Sequence, residues 1–372
     1  MDPHGDPNFP PNLEIFPSSS ETHGRPVDSS STSDSLKRAQ SDPAQVDAEQ
    51  DIETYGIAGR TWEAAYLLRQ YLTPLAPTSP VEFDPPSPLA LHVRPAPHRR
   101  RQRVILEIGS GTGFLGLSIA PHLVSSDTLV VTDLENVCPL LMKNLAEARR
   151  RWETTEPKAK NSPTILVRPL PWGDATFLDR EVKQPRLEPD IILASDLVYF
   201  PFLYPPLLRT LLGLTEWRAS DDPRRQNPTL VFSYKIRSLV REQPFWEAFG
   251  RWFKFEPVQM GRLGSDDKES EEDGTEEEHT DAREGAKAKR AWSRLGASRR
   301  SGTDDTHLCR DDSDELFVFI ARRRDSTLGI SDLISHGGFT DEDLMLGRNG
   351  LEGDLAGGTR FEEMLLASLE WD

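Results

Sequence analysis

Cysteine is nearly absent from this 372-residue chain. The two present, Cys138 and Cys309, fall on an expected helix and in a low-complexity stretch, which excludes a disulfide framework and a four-ligand zinc site. No metal centre is expected. No run of about 18 apolar residues occurs, so no membrane-spanning helix is expected. The opening Met1-Asp-Pro-His-Gly-Asp6 lacks the basic and apolar regions of a secretory leader. There is no internal repeat. These absences predict a soluble protein of a reducing compartment, cytoplasmic or nuclear, with no membrane partner; a monomer is expected.

What the chain does have is charge, unevenly spread. The formal net charge is −17. Residues 1–53 carry 11 acids and 3 bases, residues 264–314 carry 16 and 9, and residues 325–372 carry 11 and 2, which leaves the remainder at +7. The acidity belongs to appendages, and the rest is mildly basic; net charge alone does not choose between an acidic protein and RNA as partner. Residues 1–53 are poor in apolar residues and read as a disordered tail. Residues 73–100 hold eight prolines and run into His98-Arg-Arg-Arg101, a surface loop by composition. Residues 264–314, acidic and then Arg/Lys-rich, read as a disordered insertion. The folded core is expected at 54–263 with a last strand at 315–324, followed by an acidic tail at 325–372, whose apolar residues at 360–371 form either a short helix docking on the core or, the preferred reading, a partner-binding motif.

Seven strand-like runs lie at 103–109, 128–133, 164–169, 190–195, 229–235, 253–260 and 315–322. Most are separated by amphipathic helical patterns at 138–152, 205–217 and 243–253, whose aromatics read as core. Alternation of strand and helix specifies an α/β fold: a seven-stranded, doubly wound, Rossmann-like sheet. The last two runs lack a helix between them outside the insertion, so the final strand is expected to pair antiparallel. Closure entropy grows slowly enough with loop length for a hairpin to tolerate the excursion.

The first core strand runs straight into Glu107-Ile-Gly109-Ser110-Gly111-Thr-Gly113. Glycines at every second position let the backbone approach a ligand where a Cβ would block it. Phe114 stands where the dinucleotide fingerprint wants its third glycine. The second strand delivers Asp133 about twenty residues later, placed to accept both hydroxyls of a ribose. Together these read as the nucleoside half of an S-adenosylmethionine (AdoMet) methyltransferase. Trp172, in the turn Pro171-Trp-Gly-Asp174, either covers an adenine face or caps the sheet edge. Trp62 either closes over the cofactor or simply packs. Asp196 and Tyr199, three residues apart after the strand Ile191–Ser195, point into one cleft or form a helix cap with a packed ring.

Trp62, the glycine turn, Val131-Thr-Asp-Leu134, Leu170-Pro-Trp-Gly-Asp174, Ala194-Ser-Asp-Leu-Val-Tyr199 and Ser233-Tyr-Lys-Ile-Arg237 occur in that order. This set resembles the seven-β-strand protein-lysine methyltransferases of methyltransferase family 16, over roughly 54–263 and 315–323. The likeness is strongest to fungal members that act on a lysine of translation elongation factor 1-alpha. The resemblance implies AdoMet as cofactor, contacted by Trp62, Glu107, Gly109, Ser110, Gly111, Gly113, Asp133, Trp172 and Ser195, and a catalytic pair Asp196 and Tyr199 that meets a protein substrate. Phe200-Pro-Phe-Leu-Tyr-Pro-Pro206 departs from the family, whose members commonly carry acidic residues there. On this reading Asp196 captures and orients the incoming ammonium, Tyr199 positions it, and the proton leaves to water.

Three rivals remain. A nucleic-acid adenine methyltransferase would carry Asn- or Asp-Pro-Pro-aromatic at the fourth strand end, and Asp196-Leu-Val-Tyr199 lacks both prolines, so no nucleic-acid partner is expected. A small-molecule N-methyltransferase shares the cofactor half. A non-catalytic AdoMet-binding scaffold is opposed by the intact glycines, Asp133 and D-x-x-Y element.

Overall fold

The structure, a computed structural model, describes residues 8–9, 15–18, 48–90, 102–155, 162–216, 227–263, 290–297, 316–329, 338–347 and 361. Its strands are β1 (Val81–Asp84), β2 (Val104–Ile108), β3 (Thr128–Asp133), β4 (Thr164–Pro169), β5 (Ile191–Ser195), β6 (Thr229–Lys235), β7 (Phe253–Pro257), β8 (Gln259–Leu263), β9 (Arg290–Arg294) and β10 (Leu316–Arg323). The larger helices are α1 (Glu63–Leu72), α2 (Phe114–Ile119), α3 (Cys138–Thr155), α4 (Tyr204–Thr215) and α5 (Leu239–Trp252), with a short α6 (Asp341–Leu346). Seven strands form one sheet in the order β4-β3-β2-β5-β6-β10-β7. Neighbours from β4 to β6 run parallel, while β10 lies antiparallel between β6 and β7. This is the expected α/β architecture with its reversed final strand.

Every residue of β2 and β3 is buried, as parallel strands covered on both faces require. The period of two sorts their side chains between two layers. Ile105, Leu129, Val131 and Leu193 join Leu68 and Leu72 of α1, Leu117 of α2 and Leu145 of α3. Leu106, Ile108, Val130 and Ile192 join α4 and α5. On α5, Phe245, Trp246, Phe249 and Trp252 are fully buried. Each such ring buries roughly 150–250 Å², and at about 25 cal/mol per Å² this face anchors its half of the sheet.

Four expectations need correction. The run 253–260 is two strands: the chain leaves the main sheet at Val258, whose N–H still bonds the Val318 carbonyl (2.8 Å). From there β8 enters a second antiparallel sheet in the order β1-β8-β9. The proline-rich stretch accordingly contains β1, with Phe83 and Leu89 buried. Within the insertion, residues 290–297 are ordered: β9 pairs with β8, Leu295 is buried, and the Arg294 guanidinium lies 3.8 Å from the Phe317 ring centroid. The remainder of 264–314 lies outside the described residues.

Both tails contribute to the core. The Asn8 carbonyl accepts from Ile57 N (2.9 Å) and Asn8 is buried, while Gln50 bonds Ser18 and the Thr61 N–H. In the carboxyl tail, α6 packs on α4 and α5, the Trp252 indole donates to the Leu344 carbonyl (2.8 Å), and Phe361 is buried. Apart from Phe361, the helix expected at 360–371 lies outside the described residues. No described helix is long and apolar enough to cross a membrane.

Candidate active site

The carboxyl ends of β2, β3, β4 and β5 open onto one cavity of about 190 Å³. Such a crevice is where open α/β sheets place ligands. Its floor is the turn after β2, where Gly109, Gly111 and Gly113 have φ of +59°, +53° and +77°, a region that favours glycine. A Cβ on Gly109 would come within 2.7 Å of the Leu197 side chain and 3.0 Å of Trp172, and one on Gly111 within 2.9 Å of the Ala58 carbonyl. The turn is pinned to β3: Ser110 N donates to the Thr132 carbonyl (2.8 Å), and Thr132 N donates back to the Ser110 hydroxyl (3.1 Å).

Asp133 closes β3. Its Oδ2 accepts from Gly111 N at 2.7 Å and its Oδ1 from Leu134 N at 2.8 Å. Each carboxylate oxygen keeps a lone pair beyond these bonds, enough for a pair of hydroxyls. Burial raises the Asp133 carboxyl to about 6, against the pull of the Gly111 and Leu134 N–H groups. Glu107 is deeper. Burial pushes it up to about 8, the Asp133 charge adds to this, and hydrogen bonds from Gly116 N (3.0 Å) and the Ser110 side chain oppose it.

On the β4 side, the Pro171-Trp172-Gly173 turn is held to α4 by Gly173 N donating to the Thr210 hydroxyl (2.8 Å). Gly173 has φ +81°, and a Cβ there would sit 2.8 Å from Pro206. Trp172 therefore presents its ring to the cavity, 6.4 Å between centroids from Tyr199. Opposite, Trp62 precedes α1 and donates its indole N–H to the Ile57 carbonyl (3.0 Å).

Asp196 caps no helix, since the next helical turn begins at Pro201. It is a non-glycine residue at φ +62°. Backbones held in that region cluster where surrounding structure fixes a functional side chain. Its carboxylate is buried and paired. Arg237 Nη1 donates to Oδ1 at 2.7 Å and Nη2 to Oδ2 at 2.5 Å, and Lys235 N approaches Oδ1 at 3.3 Å. The Arg237 guanidinium also lies 5.1 Å from the Trp62 ring centroid and 3.9 Å from Glu63, which Arg60 binds at 2.5 Å. Arg60 stacks on Trp62 as well, at 4.2 Å. Burial, and then the charges of Asp133 and Asp196, push the Tyr199 phenol up, so it stays protonated and can offer a hydrogen-bond donor or a ring face rather than a base.

Trp62, Glu107, Gly109, Ser110, Gly111, Asp133, Trp172, Ser195, Asp196 and Tyr199 all line this cavity. Gly113 does not; it precedes α2 in the left-handed conformation, with Leu141 and Leu117 beside it. Sequence reasoning missed Asn8, Arg60 and Arg237 as parts of the site. For Arg237 a signal existed: β6 neighbours β5, so the residue just past β6 falls beside the end of β5. No comparable signal marks Asn8, which sits in a tail of low apolar content. Among the described residues no group of side chains could hold a metal ion.

The sequence profile of the lysine methyltransferase family matches residues 40–251. Among curated proteins, the chain is 30% identical over 191 residues to the protein-lysine N-methyltransferase EFM6 of Saccharomyces cerevisiae, covering 49% of this chain and 65% of that protein. It is 25% identical to human protein-lysine N-methyltransferase EEF2KMT, over 54% of this chain and 52% of that one. It is also 25% identical to EEF1A lysine methyltransferase 3 of Xenopus tropicalis, over 49% and 65%. The chain thus spans about half to two thirds of the length of the curated relatives it matches. The profile covers more than half of the chain, including the glycine turn, Asp133 and the Asp196–Tyr199 element: the chain belongs to the lysine methyltransferase family.

Proposed function

We propose that this protein is an AdoMet-dependent protein-lysine N-methyltransferase and that its substrate is a lysine of translation elongation factor 1-alpha, a target that would place the reaction in the cytoplasm. The observation that carries the reading is the convergence of four strand ends on one cavity, with the glycine turn and Asp133 on one side and Asp196 and Tyr199 on the other. The names of the yeast and Xenopus relatives support the choice of a protein lysine, and the Xenopus name the choice of elongation factor.

The residues present fit AdoMet. The glycine backbone leaves room that a Cβ would fill, Asp133 retains acceptors for ribose hydroxyls, and Trp172 and Trp62 offer ring faces. The cofactor supplies an electrophilic methyl group on a positively charged sulfonium. The protein's task is alignment: transfer is an in-line displacement, and a neutral lysine nitrogen has to be held on its axis. Deprotonating a free lysine of pKa ~10.4 costs roughly 4–5 kcal/mol at pH 7. Asp196 orients the amine by accepting a hydrogen bond, Tyr199 positions it by oxygen or ring face, and the proton leaves to water. Incubating the protein with labelled AdoMet and recombinant, unmethylated elongation factor 1-alpha, beside a lysate of cells lacking the protein, tests the reading. A labelled lysine in the factor is expected. Label on a different protein would replace the substrate, and label on RNA alone would replace the substrate class.

A further inference from the structure

A carboxylate poses a problem for this chemistry. A bare negative charge beside a lysine stabilises its ammonium, the form with no lone pair to give. The structure places a second group at that point. Both oxygens of Asp196 are engaged by Arg237 in a bidentate pair, whose side chains are 1% and 31% exposed respectively.

Resting on the lysine-methyltransferase reading, we propose that Arg237 is a positioning residue: by pairing with Asp196 it cancels the carboxylate's charge, so that the acceptor lysine is oriented there yet reacts as the neutral amine. Three of the roughly four acceptor positions on Asp196 are taken, two by the guanidinium and one by Lys235 N, which leaves room for one N–H of substrate.

The surroundings hold Arg237 in place rather than offering it for displacement. Trp62 lies against its guanidinium, Glu63 of α1 stands 3.9 Å away, its own Nη1 also donates to the Lys235 carbonyl (3.2 Å), and its backbone N–H donates to Glu242 of α5 (3.2 Å). Glu242 also accepts from the Tyr234 hydroxyl, and Arg60 binds Glu63, so neither of these acids faces the lysine alone. A planar guanidinium with two carboxylates and a ring face is a better partner for Asp196 than one incoming ammonium. Tyr199 brings no compensating negative charge, since its phenol stays protonated. In the step itself the lysine first loses a proton to water. Its nitrogen lone pair then forms the new bond to the methyl carbon as the carbon–sulfur bond pair passes to sulfur.

The test is the pH profile of kcat/KM from about pH 6 to 10, with the protein that the wild type labels in a lysate of cells lacking it as substrate. In Arg237→Gln, Asp196 is unpaired and the lysine is held as ammonium. The rising limb should move up by at least about one pH unit, with a deficit of about tenfold or more at pH 7 that closes toward pH 10. Arg237→Lys, which keeps the charge and loses the fork, should lie between. Adding Asp196→Asn to Arg237→Gln removes the bare charge, so the limb should return to its wild-type position on a lower plateau. AdoMet affinity by calorimetry should hold in all three variants. A pH-independent loss in Arg237→Gln, or a shift that survives Asp196→Asn, would reduce Arg237 to a structural role. A wild type that labels no protein would instead overturn the methyltransferase reading and this proposal with it.

Discussion

The ring of Phe361 stacks on the indole of Trp246 with centroids 5.0 Å apart and planes 12° from parallel. A residue 115 positions beyond Trp246 thus completes the core of α5, and the same ring meets Tyr234, Phe317 and Phe319. Phe361→Ala should cost about 3–5 kcal/mol, the usual loss for a buried phenylalanine. Calorimetric unfolding checks it. An unchanged Tm would mean that the tail is only loosely docked.

Loss of the Asp133 carboxylate should be felt in cofactor affinity. Asp133→Ala is expected to weaken AdoMet binding by roughly 2–3 kcal/mol, as for a charge-assisted hydrogen-bonded pair. Equal calorimetric affinity for variant and parent would remove the ribose-site reading.

Glu107 gives a stability test with a defined sign. Its carboxyl is raised in the folded state to about 8, so the folded protein holds that proton more tightly than the unfolded chain does. The associated stability is present at low pH and fades as pH rises toward and through 8. Glu107→Gln, neutral throughout, should flatten the decline of Tm between about pH 5 and 8.5; a slope unaltered by the substitution would assign it to other groups.

Asp196→Asn and Tyr199→Phe should separate substrate from cofactor roles. Asparagine tolerates the left-handed backbone of position 196, so its fold should persist. AdoMet affinity is expected to hold while methylation falls at least tenfold, about 1.4 kcal/mol of transition-state stabilisation. Affinity and rate falling together would make these cofactor or structural residues.

Removing residues 1–50 deletes Asn8, which lines the cavity, and Glu49, whose carbonyl accepts from Asn144 and whose carboxylate pairs with Lys143. The truncated protein should remain folded on its sheet but bind AdoMet several-fold more weakly in a titration. Replacing 265–289 with a short Gly/Ser linker, which keeps β9, should leave binding unchanged.

Much of this was legible in the chain. Apolar runs set most of the main sheet's strands because parallel strands are buried on both faces, and the glycines after β2 marked the turn that lines the cavity because close backbone approach needs that residue type. What composition hid was long-range pairing. β1 lies among prolines and β9 among charges, and each becomes a strand only because β8 supplies its partner. Asn8 is a single side chain in a polar segment, without the periodicity that marks an element, and Phe361 opens an expected short helix whose pattern does not say that it docks on the core. Asp196 was visible as a carboxylate at a strand end, but its pairing with Arg237 depends on β5 and β6 being adjacent, a fact of strand order.

The reversed direction of β10 has a consequence for how this fold can vary. Because β10 is antiparallel to β6, its first residue, Leu316, pairs with Lys235, at the edge of the sheet where the cavity opens. Were that strand parallel, the long insertion before it would rejoin the fold at the opposite rim. As built, the chain re-enters the sheet at Leu316, opposite Lys235 and beside Asp196 and Arg237, so a change in the length or charge of the insertion would act on the rim where the cavity opens rather than on the far one.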